Sequence, residues 1–110
     1  MTIANGPMST SRSTSSTESG VRRLEAVVHG HVQGVSFRYY AVLQARALGL
    51  RGYVRNRADR TVEVVAEGPA PQLDQFLAWL REGPSAAHVE HVGVSWLAAN
   101  GEFESFEVRH

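Results

Sequence analysis

A chain of 110 residues, 43% hydrophobic and 20% charged, is long enough for one domain with a real core and too short for two. Cysteine is absent, which excludes disulfides, thiolate chemistry and cysteine metal sites together. No apolar run approaches membrane-spanning length, and the N-terminus lacks the basic and apolar blocks of a secretory signal. The expectation is a cytoplasmic protein without a membrane partner. The net charge of zero conceals an asymmetry: residues 21–60 carry eight arginines and two acids, and residues 61–110 carry eight acids and two arginines. An anionic partner is expected to meet the first half.

In chain order, residues 1–20 do not read as folded. The run STSRSTSSTES, residues 9–19, holds nine Ser or Thr in eleven positions and offers nothing to bury, so a disordered N-terminal tail is expected over 1–20 and a folded domain over 21–110. Leu24, Ala26, Val28, Gly30 and Val32 alternate as one face of a strand does. Phe37, Ala41, Gln44/Ala45 and Leu48 then recur at helical spacing, with Gly49 near the helix end. LRGYVRN and TVEVVAE predict two strands joined by a hairpin around RAD. Gly68, Pro69 and Pro71 open a second helix whose Leu73, Phe76, Leu77 and Leu80 fall at i, i+3, i+4 and i+7, and Gly83-Pro84 stops it. AHVEHVGVSW and FESFEVR supply one or two final strands. The order βαββαβ, with a short fifth strand, predicts an α+β ferredoxin-like sandwich in which two helices cover one face of an antiparallel sheet. Trp79 and Trp96 are read as packing residues.

The chemistry concentrates in HVQGVSFRYY, residues 31–40. Gly34 permits a backbone turn in which consecutive N–H groups converge on an oxyanion. Ser36 stands as an N-cap whose oxygen accepts from the N–H near Tyr39. The helix that follows aims its partially positive end at the same spot. Arg38, in the first turn, adds a planar bidentate clamp for phosphate oxygens. The bland alternative is an ordinary strand-to-helix turn with a surface arginine. Phosphatases that form a phosphocysteine place the cysteine six residues before the cradle arginine. Val32 stands there instead, which points to direct attack by water; Ser36 is the one hydroxyl inside the loop, and it is read as a cap because no base adjacent in sequence activates it.

These residues resemble the acylphosphatase family. Gly30, Val32, Gln33, Gly34, Val35, Phe37 and Arg38 match its pattern G-x-V-Q-G-V-x-F-R, and Gly52, Tyr53, Val54 and Asn56 match G-[WY]-V-x-N. The third strand and the terminal GEF..FEVR are also similar, so the likeness spans about residues 22–109. The resemblance implies that the N–H groups of Gln33, Gly34, Val35, Ser36, Phe37 and Arg38, with the Arg38 side chain, bind phosphate, and that Asn56 holds the attacking water. It implies hydrolysis of small acyl phosphates without metal or other cofactor. An amide is a poor base, but phosphoryl transfer passes through a loose transition state that needs positioning and charge stabilisation more than a base. A carboxylate leaving group, with a pKa of about 4, departs unprotonated. No acid accompanies the two motifs, which favours an anhydride over an ester. Glu63 and Glu67 alternate along a strand and are expected to face solvent. One departure stands out: where the family commonly has Asp-Gly in the hairpin, this chain has Asp59-Arg60. A retained left-handed turn costs a non-glycine residue about 1–2 kcal/mol.

Competing readings have specific weaknesses. His29-x-His31 and His88-x-x-His91 invite a metal, but zinc needs three or four converging ligands. Arg51-Gly52-Tyr53 mimics the start of an RNA-recognition motif, yet Val54 and Arg55 stand where a small residue and an aromatic are required. No nucleic-acid partner is therefore expected. A catalytically silent anion-binding module shares the cradle and differs only in turnover. Nothing in the pattern demands a second chain, so a monomer is expected.

Overall fold

The computed structural model describes residues 20–110; the tail expected over 1–20 lies, but for Gly20, outside them. Five strands and two helices follow in the order β1 (Val21–His31), α1 (Phe37–Ala47), β2 (Arg51–Asn56), β3 (Val62–Pro69), α2 (Ala70–Glu82), β4 (His88–Ala98) and β5 (Phe106–Val108). They form one sheet in the order β4-β1-β3-β2-β5. Four strands pair antiparallel, as expected. The fifth pairs parallel to β2, with Gly52 opposite Phe106 and Val54 opposite Val108, so the sheet is mixed. The reason is topological: β4 and β5 occupy opposite edges, and residues 99–105 carry the chain from one to the other and into the direction of β2.

Alternation along β1 buries Leu24, Ala26 and Val28, and β3 contributes Val62, Val64 and Ala66 to the same face. Against this face α1 packs Phe37, Ala41 and Ala45, and α2 packs Leu73, Phe76, Leu77 and Leu80. Each of the larger side chains contributes about 1.5–3 kcal/mol by leaving water. Trp79 packs as expected, with its ring 5.4 Å from Phe37 and stacked on Phe76. Trp96 does not: it is 40% exposed on edge strand β4, where only one neighbouring strand can cover it. Gly52 is required by proximity, since a Cβ there would collide with the carbonyl of Val65 on the neighbouring strand.

The other face of the sheet corrects the expectation for Glu67. This carboxylate is 5% exposed, because the segment after β4 folds over it. It accepts from Arg23 Nη1 at 3.1 Å and from the N–H groups of Asn100 and Gly101 at 3.1 and 3.0 Å. Glu63 is partly covered and accepts from Tyr53 Oη at 2.9 Å and Arg55 Nε at 2.6 Å. Burial pushes the Glu67 carboxyl up, but the bonds from Asn100, Gly101 and Arg23 outweigh it and hold the group below its ordinary 4.5. A depressed carboxyl contributes stability above its unfolded pKa and loses it as pH falls through the folded one. Glu67→Gln is therefore expected to cost about 1–2 kcal/mol at pH 7. The gap to the parent chain should close as pH falls below the ordinary carboxyl range, as measured by urea unfolding at several pH values.

Part of the charge asymmetry is met within the fold, by three of the eight arginines of the first half. Arg23 pairs with Glu67 and Glu102, Arg46 with Glu107, and Arg55 with Glu63. In these pairs an arginine of the first half meets an acid of the second, whereas Arg23 also pairs with Glu25 of its own half. The first half is thus less available to an anionic partner than its composition suggested.

Candidate active site

The ends of β1, β2 and β5 meet the N-terminus of α1 around a cleft of about 490 Å3. Four of the expected phosphate-binding residues, Gly34, Ser36, Phe37 and Arg38, line it together with Asn56, Val32, Tyr39 and Val108. Arg38 is the charged member of this lining, and among the described residues it enters no ion pair. Gln33 and Val35 do not line the cleft.

The loop between β1 and α1 is shaped by two left-handed residues, Gly34 (φ 75°) and Ser36 (φ 62°). Space around Gly34 is open, so glycine is favoured there by backbone conformation alone. Ser36 occupies the N-cap position but makes no side-chain cap bond, contrary to expectation. Side-chain capping uses an extended N-cap backbone, whereas the left-handed one directs Oγ elsewhere. Only the Ser36 carbonyl engages the helix, accepting from Tyr40 N–H at 3.1 Å. Among the described residues, no backbone N–H from Gln33 to Tyr39 donates to another main-chain carbonyl. The result is a run of uncommitted donors at a helix N-terminus beside a guanidinium, an arrangement suited to a tetrahedral anion. A serine held at positive φ stores about 1–2 kcal/mol of strain, a feature that concentrates at functional sites.

Asn56 ends β2, opposite Val62 of β3. Its Oδ1 is buried and has no hydrogen-bond partner. Such an atom costs about 1–3 kcal/mol unless something satisfies it.

The role of the Gln33 side chain is the feature sequence reasoning missed. Nε2 donates to the carbonyls of Arg57 and Thr61, at 2.8 and 2.9 Å, and so fastens the loop to the hairpin that follows Asn56. That hairpin retains the left-handed residue, with Arg60 at φ 75°. Arg60 N–H donates to Arg57 O at 3.1 Å, and Asp59 Oδ1 accepts from Thr61 N–H at 3.0 Å. Hydrogen bonds from Thr61 hold the Asp59 carboxyl below its ordinary range. Arg60→Gly is expected to stabilise the protein by about 1 kcal/mol, the relief of strain being partly offset by the greater freedom of glycine in the unfolded chain. A rise of a few degrees in Tm with unchanged turnover would show it.

The histidines come together only in pairs. His29 lies opposite His91, with ring centroids 5.4 Å apart, and His31 lies opposite His88. Among the described residues no group of three or more His, Cys, Asp or Glu could hold a metal ion.

Fold and cleft together define an α+β sandwich with an anion-receptive loop at one end. Residues 24–108 match the Acylphosphatase family model. An acylphosphatase of Anaeromyxobacter sp. is 50% identical over 88 residues, covering 80% of this chain and 95% of its own. One from Pasteurella multocida is 49% identical over 84 residues, covering 76% and 93%. The solved acylphosphatase of Coxiella burnetii superimposes with a TM-score of 0.79 at 34% identity, over 84% of this chain and 96% of the other. The chain belongs to the acylphosphatase family.

Proposed function

We propose that the protein is a metal-independent acylphosphatase that cleaves the carboxyl–phosphate anhydride of small acyl phosphates to carboxylate and inorganic phosphate. The observation that carries this reading is the convergence in one cleft of Arg38, an unengaged amide loop and Asn56. Phosphate sits in the loop, with amides of the cleft-lining residues Gly34, Ser36, Phe37 and Arg38 and the Arg38 guanidinium on its non-bridging oxygens. The Asn56 side chain, at the wall of the cleft, holds the water and aims the water's lone pair at phosphorus. As the new P–O bond forms, the bond to the acyl oxygen breaks and the carboxylate leaves as an anion. The water proton passes to a phosphate oxygen, so no side chain has to act as base. Charge building on the phosphoryl oxygens meets donors that are already in place.

The RNA-binding alternative is disfavoured by the open sheet face. The Tyr53 ring lies 3.9 Å beneath the Arg109 guanidinium, and its hydroxyl is bonded to Glu63. Arg55 is paired with Glu63 as well. A base stacking there would have to displace these contacts. The reading places the protein in the cytoplasm as a monomer acting on a small molecule.

The test is hydrolysis of benzoyl phosphate by purified protein with a chelator present. Turnover that persists in chelator supports the proposal. Activity abolished by chelator and restored by a divalent cation would bring the histidine pairs back into consideration. Absence of turnover leaves an anion-binding module.

A further inference from the structure

Tyr40 and Leu43 are 45% and 47% exposed, large apolar side chains on a helix face that usually carries charge. With Trp79 of α2 and Ala86 of the following loop they line a groove of about 710 Å3. No charged side chain lines it, in a chain that is 20% charged. Ser36 lines both this groove and the phosphate cleft, so the two adjoin at this residue. No residue of β2 or β5 lines the groove, whereas Asn56 and Val108 line the cleft. The groove therefore leads from the phosphate loop away from the strand end where water is held.

We propose, resting on the acyl phosphate reading above, that this groove receives the acyl chain of the substrate. In-line displacement sets the attacking and departing oxygens on opposite sides of phosphorus. With water at Asn56, the carboxylate leaves towards Ser36 and carries its chain along the outer side of α1. An uncharged lining offers no ion-pair partner to a second phosphate or carboxylate, whereas it covers part of an apolar chain. The substrate class is accordingly acyl phosphates with an apolar chain. From Ser36 to Ala47 the helix rises roughly 16 Å, which suits an alkanoyl chain longer than acetyl.

The experiment compares acetyl, butanoyl, hexanoyl and octanoyl phosphate. A methylene half-buried in an open groove is expected to raise kcat/KM about twofold, through KM. Leu43→Glu, at an exposed position, should flatten the series while leaving acetyl phosphate turnover and inhibition by inorganic phosphate unchanged. A flat series in the parent chain, with acetyl phosphate still hydrolysed, overturns the groove and leaves the enzyme reading intact. Failure to hydrolyse any of the four overturns the enzyme reading, and the groove assignment with it. A Leu43→Glu variant that retains the series but loses a dimer in sedimentation assigns the groove to a second copy of the chain instead.

Discussion

Arg38→Ala is expected to lower kcat/KM by about 10³, or roughly 4 kcal/mol of transition-state stabilisation, by analogy with removing a donor from an oxyanion site. The size follows from the site: Arg38 is the charged residue lining the cleft, so no neighbouring cation compensates. Inhibition by inorganic phosphate should weaken in parallel. Arg38→Lys restores charge without the planar fork and is expected to recover only part of the loss. The side chain makes no ion pair among the described residues, so the melting temperature should hardly move. Full activity in Arg38→Ala would remove the phosphate anchor from the mechanism.

Asn56→Ala separates binding from chemistry. Turnover is expected to fall about 10²–10³-fold, as for a lost positioning contact, while inorganic phosphate binds as before. Because Oδ1 is buried without a partner, its removal breaks no protein hydrogen bond, and stability should stay level or rise. Asn56→Asp tests the sign of the electrostatics. A carboxylate in the cleft repels the substrate dianion, so phosphate inhibition should weaken although shape is retained. Unchanged turnover in Asn56→Ala would show that water is positioned elsewhere.

Arg38 stands out as a candidate in the linear sequence because it lies in a short local pattern, whereas Asn56 is singled out by the resemblance to the family. Gly34, Ser36 and Arg38 follow a strand and open a helix, and that junction suffices to predict a turn with free amides. Asn56 stands at the end of a strand bounded by Gly52 and the hairpin. The stripe Leu73, Phe76, Leu77 and Leu80 is equally local, and all four are buried. Other features depend on partners far along the chain. Gln33 reaches carbonyls 24 and 28 residues away, and no neighbour in sequence signals that bond. Ser36 looks like a capping serine by type, yet its backbone conformation decides otherwise.

What the sequence by itself determined is the set of elements, their order, and the turn between β1 and α1, because hydrophobic period and turn residues act over a few positions. The tertiary structure alone decided which charges remain free and which faces are covered. Glu67, read as solvent-facing, is buried by the segment that crosses after β4. Arg23, Arg46 and Arg55 are drawn to acids of the second half, while Arg38 is left at the cleft. The direction of β5 and the exposure of Trp96 are likewise consequences of edges, and an edge exists only once the sheet is assembled.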